Sequence, residues 1–281
     1  MKIYAFADEA SPIIDEQILA MKRNGLDGLE IRNVDNVNVS DITVEKAREV
    51  RKKLEAHGLV TWSIGSPIGK IDIEKDDFET HLEKFRHTLQ IAHELQASNI
   101  RLFSFYIPEG KNPEVYREEV IYRLGKFLEI AKGSGICLCH ENEKGIYGDN
   151  ASRCLDLYQS LPELKGIFDP ANFVQCGQDV VEAWKLLGSH IRYLHIKDAL
   201  SDGSIVPAGK GAGCVADVIR AYRSQGGVAM TLEPHLAVFQ GLSALEREGE
   251  ESNISSYAYA DNEAAFDAGC KALREIEVND L

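Results

Sequence analysis

Four runs in the second half of the chain decide its fold: ICLCHENE (136–143), LKGIFDPANF (164–173), IRYLHIKD (191–198) and VAMTLEPHL (228–236). Each is apolar up to a polar terminus that can bind a divalent metal: Glu141, Asp169, His195 and Glu233. A helix-like stretch follows each run, except that a long loop comes first after the last. The four residues lie 28, 26 and 38 positions apart, roughly one strand-plus-helix unit each. Successive parallel strands would bring three carboxylates and one imidazole to the same edge of a sheet. In a (β/α)8 barrel that edge is where the chemistry sits.

The same alternation runs through the whole chain. Strand candidates are Lys2–Ala7, Gly28–Arg32, Val60–Ile64, Asn99–Phe105, Ile136–Glu141, Gly166–Asp169, Tyr193–Lys197 and Val228–Glu233. Between them lie helical patterns, such as Phe78, Leu82, Phe85, Leu89 and Ala92, which recur at i, i+3/i+4. Gly25, Gly58 and Gly133 stand where a left-handed residue ends a helix, and Asp149–Asn150 reads as an N-cap. Strict alternation predicts a parallel sheet, because parallel neighbours need crossovers. An open doubly wound sheet would alternate in the same way. No GxGxxG follows the first strand, however, which lowers a dinucleotide-binding reading. The expected fold class is α/β, a single TIM-barrel domain over residues 1–281. Long rim loops are expected at about 199–213 and 234–261.

Composition narrows the function. A formal charge of −14 argues against a phosphate backbone as partner, and no basic cluster offsets it. No apolar run approaches the ~20 residues that cross a bilayer. The N-terminus, MKIYAFADEASP, turns acidic at once, so no membrane partner and a cytoplasmic location are expected. The six cysteines include no CxxC pair and read as reduced; Cys137 and Cys139 share the side of Glu141 and fill the barrel.

Three carboxylates and an imidazole suit one divalent ion: Mn2+ first, with Mg2+, Co2+ or Zn2+ as alternatives. A single strand-terminal carboxylate commonly caps a helix or joins a salt bridge. Four ligand-type residues at four successive strand ends are hard to obtain from capping alone. Glu141 and Glu233 come from different strands, so they approach a chelated substrate from different sides. One can remove the proton beside a carbonyl and the other return it, giving isomerisation or epimerisation through an enediolate.

HENE (140–143), FDPANF (168–173), HIKD (195–198) and LEPHL (232–236) resemble the xylose isomerase-like TIM barrels. The specific likeness is to the sugar isomerase/epimerase branch that contains tagatose 3-epimerase and inosose isomerase-type enzymes. DEQILAMKRNGLDGLEIRNVDN (15–36), with Glu30-x-Arg32 ending the second strand, is similar to that branch as well. The resemblance implies Glu141, Asp169, His195 and Glu233 as metal ligands, with both glutamates as acid/base groups. It also marks two departures. The substrate-contacting His of ketohexose epimerases, three residues after the Asp, is Asn172 here. Their Arg shortly after the strand-seven His is missing, with Lys197 and Lys210 the nearby cations. Metal and reaction type survive these changes; the identity of the sugar does not.

Other residues join the substrate-binding candidates. Glu30 and Arg32 share a face and can line the mouth or form a buried pair. Lys70 can meet a phosphate or carboxylate or remain a solvated loop residue. Gly209, Gly211 and Gly213 can offer N–H groups to an anion or simply turn the chain. His235 can support Glu233, whereas His140 points away from the Glu141 side. Tyr106, Phe239, Tyr257 and Tyr259 can wall the pocket, and the 234–261 loop can act as a lid with its acidic stretch 246–251 in water. The expected partner is a small sugar or sugar phosphate, with a homo-oligomer possible. A dehydratase of an inosose- or keto-acid-like substrate would use the same site. An apurinic-site endonuclease and a non-catalytic sugar-binding barrel are more distant alternatives.

Overall fold

Eight apolar runs too short to be helices, each separated by an amphipathic stretch, can bury both faces only inside a layer of helices. The computed structural model, which describes residues 1–239, 253–254 and 257–280, shows that solution. Strands β1 (Lys2–Ala5), β2 (Gly28–Ile31), β3 (Val60–Ile64), β4 (Asn99–Leu102), β5 (Cys137–Glu141), β6 (Lys165–Phe168), β7 (Ile191–Ile196) and β8 (Ala229–Leu232) form a closed parallel barrel. Closure is made by β1 pairing with both β2 and β8, Lys2 opposite Ala229. This is the (β/α)8 expectation; the open-sheet alternative is excluded.

The helices carry the predicted punctuation. Asn150 caps the helix Ala151–Ser160 as expected, its side chain accepting a backbone N–H, and Thr43 and Asp77 cap Val44–Ala56 and Phe78–Glu94 in the same way. Gly25, Gly58 and Gly133 are left-handed, with φ of +59°, +69° and +81°. The main core lies between strands and helices, where Phe85, Phe127 and Phe168 are fully buried.

Period-two alternation divides the barrel interior into levels. Tyr4, Cys139, Ile167, Tyr193 and Ala229 form an apolar plug, with Trp62 stacked on Tyr4 at 5.0 Å and Cys137 packed against it. Two residues further along β5, β6 and β7 come Glu141, Asp169 and His195. All six cysteines are free thiols.

Three local features differ from the sequence expectation. β4 stops at Leu102 because the chain leaves the ladder: Phe103 N–H donates to Ile68 O and Phe105 N–H to Gly69 O, with Phe105 at φ +65°. A short helix, Pro170–Gln175, follows β6, with Asp169 itself as N-cap. Two small hairpins pair Asn33–Val34 with Val37–Asn38 and Asp198–Ala199 with Ile205–Val206. The first turns through Asp35 and Asn36, both at positive φ, as two-residue hairpin turns require.

Candidate metal centre

The ends of β5 to β8 converge. One ligand-type atom from each of Glu141, Asp169, His195 and Glu233 lies within 4.8 Å of the others, and all four residues are buried. Each carboxylate has at least one oxygen held by a group outside the cluster, and Glu141 has both oxygens engaged, Oε1 by His195 and Asn172. Arg32 Nη1 donates to Glu233 Oε1 at 2.9 Å and Arg101 Nη1 to Glu141 Oε2 at 3.1 Å. The Asn172 backbone N–H donates to Asp169 Oδ1 at 3.0 Å. Asp169 Oδ2 and Glu233 Oε2 are buried and accept no hydrogen bond. Lys197 Nζ lies 3.1 Å and 3.6 Å from these two oxygens, close enough for charge attraction.

His195 is held from both sides. Nδ1 faces the cluster, 2.8 Å from Glu141 Oε1 and 3.4 Å from Glu233 Oε2. Nε2 meets Glu30 Oε2 at 3.1 Å, and Glu30 Oε1 accepts from Tyr193 OH at 2.8 Å. A carboxylate behind the distal ring nitrogen is the usual support of a metal-binding histidine. Burial raises Asp169 to about 7 against the pull of Lys197. Burial also pushes Glu141 upward, but His195 and Arg101 outweigh it and hold the carboxyl at about 2. Orphaned buried oxygens, an oriented imidazole and three carboxylates fit a divalent cation.

A second group, Glu9, Glu233 and His235, is equally compact. Arg32 already compensates it, with ion pairs to Asp8, Glu9 and Glu233 at 2.9, 3.4 and 2.9 Å. The four-residue cluster is therefore the better metal position.

The remaining candidates fall into place around these groups. Glu30 and Arg32 share the interior face, but their polar atoms are engaged with His195, Tyr193, Asp8, Glu9 and Glu233. They form no pair with each other among the described residues; they hold the side chains of the cluster. Asn172 is buried and donates through Nδ2 to Asn142 O at 2.8 Å and Glu141 Oε1 at 3.4 Å. His235, at φ +46°, donates its backbone N–H to Glu9 and stacks on Phe239 at 5.4 Å. Lys70 is not a solvated loop residue: its side chain is 7% exposed, pairs with Glu143 at 3.0 Å and lies over the Phe103 ring.

Lys210 is exposed, and no hydrogen bond or ion pair joins its side chain to the cluster among the described residues. The glycine loop around it does gather N–H groups on an anion, but the anion is the protein's own. Asp198 accepts from Ala199, Gly209, Gly211 and Gly213, each at 2.9 Å. His140 faces away from the cluster as expected, toward Ser104 Oγ at 2.9 Å. Of the aromatic residues, Phe239 packs on the site and covers Arg32 at 4.7 Å. Tyr257 does not: it is exposed and stacks on Tyr259. The acidic stretch 246–251 lies outside the described residues.

Sequence reasoning missed Phe6, Asp8, Glu9, Arg101 and Asn142. Arg101 had a signal, a lone cation within the apolar run NIRLF. Asn142 had none; its side chain bridges the backbone of Asp169, donating to O at 3.0 Å and accepting from N–H at 2.9 Å.

A family model described as xylose isomerase-like TIM barrel matches residues 18–275. The chain belongs to that family. No curated protein matches the sequence. Similar solved structures span nearly the whole chain at low identity. A D-psicose 3-epimerase from Clostridium cellulolyticum H10 has TM-score 0.76 and 15% identity, covering 99% of both chains. IolI protein with a bound zinc atom has TM-score 0.75 and 15% identity, covering 100% of this chain and 99% of its own. The probable 3-DHS dehydratase AsbF from Bacillus anthracis has TM-score 0.74 and 18% identity, covering 98% and 99%. At these identities the likeness is one of fold. No helix among the described residues is long and apolar enough to cross a membrane.

Proposed function

We propose that this family member is a divalent-metal-dependent isomerase or epimerase of a small sugar or sugar phosphate. The observation that carries the reading is the buried Glu141–Asp169–His195–Glu233 cluster, with one glutamate ending β5 and another directly following β8. A divalent cation held by these four residues, Mn2+ by preference, would polarise a substrate carbonyl and lower the acidity barrier of the neighbouring C–H bond.

Glu141 and Glu233 supply the proton transfers. One, ionised, takes the proton from the carbon beside the carbonyl; the other, already carrying a proton from solvent, delivers it to the opposite face or to the neighbouring carbon, and the two carboxyls re-equilibrate with solvent between turnovers. The enediolate between these steps is shielded, since all four cluster residues are at most 2% exposed. Lys197 and His235 stand beside Glu233 and Asn172 beside Glu141, where they can meet the substrate's hydroxyls. Lys70, paired with Glu143, can take a terminal group by exchanging that partner. Lys210 would reach the substrate only from the exposed rim.

Removal of the same proton followed by loss of a β-hydroxyl would make the site a dehydratase. Product analysis over free and phosphorylated keto-sugars with added Mn2+ tests the proposal. An isomer or epimer that disappears in Glu141→Gln and Glu233→Gln supports it. An unsaturated or diketone product assigns the site to dehydration, and no conversion with any member rejects the substrate class.

A further inference from the structure

The two candidate acid/base residues are each tied to a buried arginine, and the arginines share an aromatic ring. We infer that Arg32 and Arg101, assembled on Phe6, restrict Glu233 and Glu141 to one metal-facing oxygen each and so keep two coordination positions open for substrate. The inference rests on the metal-centre reading above.

A carboxylate can bind a cation through one oxygen or through both. Which occurs depends on whether the second oxygen is free to turn. Here it is not. Arg32 is anchored through Nε and Nη2 on Asp8 at 2.9 and 3.0 Å, so its Nη1 edge is aimed at Glu233 Oε1. Arg101 is anchored through Nη2 on Gly65 O at 3.1 Å, which aims Nη1 at Glu141 Oε2.

Both guanidinium groups lie over the Phe6 ring, at 4.5 and 5.0 Å from its centroid. Phe239 packs against Arg32 at 4.7 Å and Phe103 against Arg101 at 5.0 Å. The Phe6 seat needs a glycine opposite it, because a Cβ on Gly65 would fall 2.4 Å from Phe6 Cε1. Planar, two-edged guanidinium groups suit this stack, whereas a lysine could keep the charge but not the aim.

The count follows from the donors. Each residue offers one atom to the cluster; with Glu141 Oε2, Asp169 Oδ1 and Glu233 Oε1 held elsewhere, these are Glu141 Oε1 and Glu233 Oε2, which lie 2.8 and 3.4 Å from His195 Nδ1, together with that nitrogen and the unpartnered Asp169 Oδ2. Four protein atoms around a cation that prefers roughly six ligands leave about two places, the number a carbonyl and its neighbouring hydroxyl would fill. If either glutamate turned to bind through both oxygens, one place would close. Arg32 and Arg101 are thus positioning residues for substrate chelation, beyond neutralising buried charge.

The test is water-proton relaxation of the Mn2+-loaded protein, which counts exchangeable ligand positions without any substrate. Wild type is expected to show about two, and Arg32→Met and Arg101→Met about one each. Arg32→Lys and Arg101→Lys carry the same expectation and keep the buried charge, should a methionine variant fail to fold. Thermal unfolding is recorded alongside, because a purely structural arginine would lower stability without changing the count. Folded variants that bind Mn2+ with the wild-type number of exchangeable positions overturn the inference and leave the metal centre standing. A wild type that binds no Mn2+ overturns the metal-centre reading and this inference with it.

Discussion

Glu30 touches no proposed substrate position, yet Glu30→Gln is expected to weaken Mn2+ binding strongly. The buried carboxylate sits 3.1 Å from His195 Nε2 and accepts from Tyr193 OH at 2.8 Å. Glutamine preserves volume, and its oxygen can still accept from the imidazole. Its amide nitrogen then faces Tyr193, whose hydroxyl can turn toward Ser63 Oγ at 3.0 Å. The fold is therefore retained and the change is electrostatic: His195 loses the negative charge that makes Nδ1 a good donor. Loss of such a supporting partner typically costs about 10–100-fold in metal affinity, or roughly 1.4–2.7 kcal/mol. Competition between protein and a chelator for Mn2+, with thermal unfolding as control, measures it. A variant that binds Mn2+ within twofold of wild type would refute the argument that Glu30 sets the ligand strength of His195.

Three further outcomes follow from the geometry. Glu141→Gln and Glu233→Gln should each lose at least ~10²–10⁴-fold in turnover while keeping the wild-type circular dichroism spectrum. His81 is buried and its Nε2 accepts the Gly69 N–H at 2.8 Å, which requires the neutral ring; burial lowers its pKa to about 4. The unfolded chain binds that proton more readily, so His81's contribution is complete above about pH 6.5 and is lost as pH falls toward 4. At pH 5 the loss is about 2 kcal/mol, and His81→Gln should flatten this part of the unfolding profile in denaturant titrations. Gly211→Ala would place a Cβ 2.3 Å from Asp198 Oδ1. It should cost about 1–3 kcal/mol, seen in the same titrations.

Much of this architecture was legible because it repeats locally. Glu141, Asp169, His195 and Glu233 each end an apolar run, so one rule finds all four, and the Glu30/Arg32 spacing places both on the interior face. The supporting partners follow no local rule. Arg32 meets Glu233 across 201 positions of sequence, and Tyr193 meets Glu30 across 163. Such pairs are created by barrel closure and leave no periodic trace. Asp169, a ligand candidate by its position at a strand end, is also the N-cap of Pro170–Gln175: Oδ1 accepts the Asn172 N–H while Oδ2 accepts no hydrogen bond, a division that a single letter cannot show. By sequence the glycine loop can gather N–H groups on an anion or simply turn the chain; the anion it meets, Asp198, lies immediately before the loop.

The central claim is that Glu141 and Glu233 exchange a carbon-bound proton of a metal-chelated keto-sugar. It is tested most directly by incubating the Mn2+-loaded protein with a converted ketose in D2O and following the carbon beside the carbonyl by NMR. The account predicts an isomer or epimer carrying solvent deuterium at the reprotonated carbon, and no labelling by Glu141→Gln or Glu233→Gln. Conversion without deuterium, the mark of hydride transfer between carbons, would contradict it.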